Sequence, residues 1–270
     1  MENSQHTYVI SLKTATARRN HIVDEFSRHS VPFQFFDAIT PGASLEASMA
    51  SLVPNLAQQN KLSAGEKACF MSHVELWKKC VDENLPFMHI FEDDVFLGKN
   101  AQTWLNQNSW LVPNLQSFEP WIVKTETFLM DVNLKPSTIP SFQYYRFDHL
   151  LSVHYGTAGY TLSQSAAQYL LDMVAQLPVD KLLPIDHVLF KTYLGVNKLN
   201  IFQLVPSICI QVDRIDNSKK ELVSQIRQDR REVRIKTKAK MSVFAKLVRE
   251  IKKIPSAIKK LSFKKVNFDR

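Results

Sequence analysis

The run Pro86-Phe87-Met88-His89-Ile90-Phe91 ends in three adjacent carboxylates, Glu92, Asp93 and Asp94, and turns apolar again at Val95-Phe96-Leu97. Bulky apolar and aromatic residues over this length read as a buried β-strand. Three acids at the end of such a strand, hemmed in by apolar sequence, are poorly explained by a solvated turn, though a polar turn is the plain alternative. An α/β sheet binds its ligands at the carboxyl ends of its strands. Clustered hard oxygen ligands there suit Mg2+ or Mn2+ carrying a phosphate-bearing substrate.

The flanking sequence supplies a sheet for that strand. Thr7 to Leu12 reads as an opening strand. A helix follows from Ala17 to His29 with Ile22, Val23 and Phe26 on one face, and Phe33 to Asp37 is a second strand. This order predicts a Rossmann-like α/β unit with a parallel sheet. Residues 41–61 read as a loop with a short helix. Ser63-Ala64-Gly65-Glu66 has the form of a capping box, opening a helix that carries Met71, Val74, Trp77 and Val81. Residues 101–108 suit a short helix, and strands are expected at 121–124, 159–162 and 200–205. Ser163 caps a helix running through Val174, with Ala166, Tyr169, Leu170 and Met173 inward, and a short helical run follows Pro184-Ile185-Asp186-His187. The α/β body extends as one domain over residues 1–216.

The net charge of +8 divides unevenly: residues from Lys219 onward carry +13 and those before them −5. Val243, Phe244, Leu247, Val248, Ile251 and Ile254 form an apolar stripe at helical spacing, continued past Pro255 by Ile258, Leu261 and Phe263 among lysines. A basic amphipathic tail over 217–270 suits an anionic membrane surface; a basic helix packed on the body is the alternative. With no Trp or Tyr in it, the tail is poorly suited to nucleic acid. No secretory leader is expected at the N-terminus, and no apolar run is long enough to span a bilayer. Cys69, Cys80 and Cys209 show no CxxC or Cys/His pattern, so neither a zinc site nor a disulfide framework is indicated.

Tyr8-Val9-Ile10-Ser11-Leu12 with Arg18-Arg19 resembles the opening of the glycosyltransferase family 25 enzymes. Leu62 to His73, with its Gly-Glu and Ser-His, resembles that family's second block, and Glu92-Asp93-Asp94 its acidic block. Gly156-Thr157-Ala158-Gly159-Tyr160 and Pro184-Ile185-Asp186 are similar to its later blocks. The blocks span residues 8 to about 190 in order. Two positions depart from the pattern: Ser11 stands where Asn is common, and Ala158 where a bulkier or polar residue is often found.

The resemblance implies a GT-A type, Rossmann-like nucleotide-sugar-binding domain. It also implies transfer of galactose or glucose from a UDP-sugar to a lipopolysaccharide or lipooligosaccharide core, with inversion. Glu92 and Asp94 would hold the Mn2+ or Mg2+, since alternate residues leaving a strand share a face. Ser11, Leu12, Arg18, Asp93 and His73 would face the donor. Asp186 is the candidate base, or else an N-cap, and Glu66 a second catalytic candidate that the capping box explains equally well. His73 reads as well as a buried structural histidine, and Arg18 or Arg19 as surface residues. His154 and Gln211 are candidates for extra metal or phosphate contacts. The enzyme is expected peripherally on the cytoplasmic face of the inner membrane. The rival functions are a metal-dependent nucleotidyltransferase or phosphohydrolase, and a non-enzymatic adaptor acting through the tail.

Overall fold

The computed structural model describes residues 6–106, 108–195, 198–215 and 263–270. The chain opens as β1 (Thr7–Ser11), α1 (Thr16–Arg28) and β2 (Gln34–Asp37), the expected strand–helix–strand unit. Helix α1 buries Ile22 and Phe26, but Val23, expected beside them, is 44% exposed. Glu25 takes the inward place instead, because its carboxylate accepts from Leu97 N at 2.8 Å and from Arg28 at 2.7 Å. A buried acid is tolerated when so paired.

Next come α2 (Ala43–Leu52) and α3 (Ala64–Asp82). Helix α3 starts at the capping box: Glu66 N donates to Ser63 Oγ at 3.1 Å and Ser63 N to Glu66 Oε2 at 2.9 Å, satisfying amides that a helix start leaves unpaired. β3 (Phe87–Glu92) and β4 (Val95–Leu97) flank a turn at Asp93-Asp94. Then follow α4 (Ala101–Asn106), α5 (Leu111–Leu115), β5 (Trp121–Lys124), β6 (Glu126–Thr127), β7 (Asp131–Val132), β8 (Leu134–Pro136) and β9 (Arg146–Leu150). The last elements are β10 (Gly159–Ser163), α6 (Gln164–Gln176), α7 (Ile185–His187), β11 (Asn200–Val205), β12 (Cys209–Gln211), α8 (Val212–Ile215) and β13 (Lys264–Lys265). Ser163 caps α6, its Oγ accepting from Ala166 N at 3.2 Å.

The main sheet runs β2-β1-β3-β10-β5-β11-β9-β8. Its first three strands are parallel, as expected, but the sheet is mixed: β10 is antiparallel to both β3 and β5, and β9 to β11. The consequence is positional. The carboxyl ends of β1, β3 and β5 and the entry to β10 meet at one edge of the sheet. There β12 also pairs with β4 on one side and β6 on the other, so Gln211 lies opposite Val95.

The period-two alternation of the strands splits the core into two layers. Tyr8, Ile10, Met88, Ile90 and Tyr160 pack with Val74 and Trp77 of α3 and Leu170 and Val174 of α6. Val9, Phe87, Phe91 and Val123 face Ile22 and Phe26 of α1, Trp104 of α4 and Leu111 of α5.

Residues 216–262, which include the stripe from Val243 to Leu261, lie outside the described residues. The final eight, assigned to the tail from sequence, pack on the body. β13 pairs with β7, Val266 is fully buried, and Thr127 Oγ1 donates to Val266 O at 2.7 Å. Asp269 accepts from Asn100 N at 2.9 Å, Asn100 Nδ2 at 3.1 Å and Tyr145 OH at 2.8 Å.

Candidate active site

β3 stops at Glu92, and the chain turns instead of continuing its pleat, so the three acids fan out. Asp93 is held on the β1 side, accepting from Ser11 Oγ at 2.7 Å and Arg18 at 2.5 Å. Asp94 is fixed through its backbone, where Val212 N donates to its carbonyl at 2.8 Å. Its carboxylate meets Arg18 at 3.8 Å and Gln211 Nε2 at 3.5 Å. Glu92 turns toward α3 and the entry to β10: Thr157 Oγ1 donates to it at 2.7 Å, and His73 Nε2 stands 3.5 Å away.

The two arginines part company. Arg18 bridges Asp93 and Asp94, whereas Arg19 donates to the carbonyls of Ser11 and Leu12 and to Asp37. Ser11 is therefore at the acids through its hydroxyl, and Leu12 meets Arg19 through its backbone carbonyl. His73 is fully buried, with Nδ1 2.9 Å from the Tyr160 hydroxyl, which also accepts from Trp77 Nε1 at 2.9 Å.

Gly156 links the remaining groups. Its N–H donates to Asp186 Oδ2 at 3.4 Å and its carbonyl accepts from Lys124 Nζ at 2.5 Å. At φ +88° a Cβ here would lie 2.4 Å from Glu126 Oε1. Only glycine meets both demands without strain. Asp186 is not the N-cap of α7, a place held by Pro184; it sits in the first turn and accepts from His187 N at 2.9 Å. Glu66 keeps its capping bonds. His154 is fully buried with both nitrogens engaged, by Gln203 Oε1 at 2.7 Å and Phe128 N at 3.1 Å, and burial lowers its pKa to about 3. That neutral brace is not available to a metal. Gln211 does reach the acids.

The sequence reading missed Lys124 and Glu126. Both are fully buried where β5 gives way to β6, 3.0 Å apart, and Glu126 Oε2 also accepts from Ala158 N at 3.0 Å. Charged residues ending the apolar strand Trp121-Ile122-Val123 repeat the signature seen at β3, and that signal was legible. Thr157 and Tyr160 lay within a quoted block without an assigned role.

The electrostatics is that of excess negative charge. Burial, then the charge of Glu92, raises the Asp94 pKa well above the carboxylate range against the pull of Arg18. Burial raises Asp93 despite Arg18 and Ser11, and burial raises Glu126 to about 7 despite Lys124. Of these four acids Glu92 moves down: desolvation pushes it up, but His73, Thr157 and Arg18 outweigh this. A divalent cation between Glu92 and Asp94 would relieve the imbalance, and one or two carboxylates suffice when phosphate oxygens complete the shell.

The family model described as glycosyltransferase family 25 (LPS biosynthesis protein) matches residues 4–189. The lacto-N-neotetraose biosynthesis glycosyltransferase LgtB of Neisseria meningitidis serogroup B is 44% identical over 204 residues, covering 76% of this chain and 74% of its own. The lipooligosaccharide biosynthesis protein lex-1 of Haemophilus influenzae is 36% identical over 279 residues, covering 95% and 92%. The lipooligosaccharide biosynthesis protein lic2B of Haemophilus influenzae is 38% identical over 223 residues, covering 83% and 82%.

Proposed function

The chain belongs to glycosyltransferase family 25, and from that premise we propose that it moves galactose or glucose from a UDP-sugar to a lipooligosaccharide or lipopolysaccharide core, with inversion. The observation that supports this reading is the acid fan of Glu92, Asp93 and Asp94, tied to Arg18 where four strand ends meet.

In this reading Glu92 and Asp94 hold Mn2+ or Mg2+. The ion, when bound, offsets charge developing on the departing diphosphate. Arg18, already shared between Asp93 and Asp94, orients that diphosphate as a bidentate donor. Asp93, pinned by Ser11 and Arg18, keeps the guanidinium in place. Asp186 accepts the proton of the acceptor hydroxyl in the transition state; amide donors from Gly156 and His187 fix its carboxylate. Glu66 shapes the start of α3 rather than taking a proton.

Attachment to an anionic inner-leaflet surface belongs to the same reading and rests on the +13 charge from Lys219 onward. Each basic residue near such a surface contributes about 1 kcal/mol. Among the described residues no helix is long and apolar enough to cross a membrane.

UDP release from a panel of UDP-sugars, with Mn2+ and a core-oligosaccharide acceptor, tests the reading. Acceptor-dependent release from one hexose, lost in Asp94→Ala and on chelation, is expected. A folded protein that releases UDP from no donor, and instead turns over a nucleoside triphosphate, would overturn it.

A further inference from the structure

We propose that Cys69, His73 and Glu92 form a second, softer metal site, taking a thiophilic divalent cation of the Zn2+ type. The sequence reading found no Cys/His pattern, yet Cys69 and His73 stand one helical turn apart on α3, the spacing that puts two side chains on one face. Glu92, ending β3, closes the triangle: one ligand atom from each residue lies within 4.8 Å of the other two.

The geometry around His73 carries the argument. Its Nε2 is buried, has no hydrogen-bond partner among the described residues, and points at Glu92 Oε1 from 3.5 Å. Buried polar atoms without partners are rare in folded proteins. That separation is long for a hydrogen bond but close to the ~3.4 Å edge of a tetrahedron built on ~2.1 Å metal bonds.

Metal binding would select the tautomer with the proton on Nδ1, displacing any proton that Nε2 presents to Glu92. The Tyr160 oxygen, which accepts from Trp77 Nε1–H, has a second lone pair to accept from His73 Nδ1–H. With the proton on Nδ1, Nε2 offers its lone pair to a cation. A ligating histidine whose other nitrogen donates to a fixed acceptor is the usual outer-shell arrangement. The Thr157 hydroxyl orients Glu92 in the same way. Three protein ligands leave a fourth position for water. On binding, the Cys69 thiol loses its proton to solvent and the sulfur bonds the metal as thiolate.

Occupation of this site withdraws Glu92 from Asp94. Resting on the function proposed above, Zn2+ is therefore an inhibitor of the Mn2+-supported reaction.

Co2+ titration of the whole chain reads the site directly. The expected result is a thiolate-to-Co2+ charge-transfer band in the near ultraviolet with visible bands of tetrahedral intensity, saturating at a single equivalent and displaced by Zn2+. The band is lost in Cys69→Ala and Cys69→Ser and kept in Cys80→Ala. Absence of the band, or its survival in a Cys69→Ala protein of unchanged circular dichroism, overturns the proposal. In sugar transfer, Cys69→Ala should need at least ten-fold more Zn2+ for half-inhibition; equal sensitivity overturns the inhibitory role. A protein that binds Co2+ as described yet transfers no sugar would sink the functional reading and leave the site standing.

Discussion

Asp94 is 7% exposed, stands beside two further carboxylates and faces Arg18 from 3.8 Å. Burial and the neighbouring Glu92 push its folded pKa to about 8, above the 3.8 of a free aspartate, so the folded state holds a proton that the unfolded chain releases. Between those values stability falls as pH rises, and the full cost is present above the folded pKa. Asp94→Asn removes that cost. We expect its melting temperature in metal-free buffer at pH 7.5 to exceed wild type by about 2–5 °C, the gain vanishing below about pH 4. Transfer should fall by about 10²-fold or more. A variant less stable than wild type at pH 7.5 would refute this account of the charge excess. The acids themselves were legible in the sequence, being local and contiguous. Their separate partners were not, because the chain turns after Glu92: Glu92 meets Thr157 and His73, Asp93 meets Ser11 and Arg18, and Asp94 meets Gln211. Lys124 and Glu126 were legible as charges ending an apolar strand, but their burial was not, because the Gly156 segment and β12 that cover them come from far along the chain.

Among the elements, the entry to β10 concentrates the constraints. Gly156 bonds Asp186 and Lys124 while the Glu126 carboxylate fills the place a Cβ would take, and a Cβ on Gly159 would likewise collide with Cys209 Sγ. Gly156→Ala should destabilise the fold by about 2–3 kcal/mol. It should also reduce kcat, because the displaced segment carries Thr157 on Glu92 and the amide that steadies Asp186. Chemical denaturation with steady-state kinetics checks both; a variant with wild-type kcat would show that Asp186 needs no such support. The elements opened by caps or built from unbroken apolar runs were readable: β1, β3, α3 and α6. The direction of β10 was not, because an alternating pattern reads the same in either direction. β7, β8 and β9 were missed because their pairings are non-local and their residues carry little periodicity.

For the whole molecule, the C-terminal residues complete the body. Asp269 satisfies Asn100 and the buried Tyr145 hydroxyl, whose pKa burial and the Asp269 charge both push up. Asp269→Ala leaves those donors without their acceptor and should cost about 2–4 kcal/mol, read as a lowered denaturation midpoint; an unchanged midpoint would make the contact incidental. Nothing in the sequence set Lys264-Lys265 apart from the basic run before them, since the partner that makes them a strand is Asp131-Val132, far back in the chain. Ile215 and Phe263, on either side of residues 216–262, both belong to the body. A protease cut between Ile215 and Phe263 would leave the last strand held by its pairing with β7, by backbone bonds to Ser207, by the buried Val266 and by Asp269, giving two bands on a denaturing gel and one species in solution.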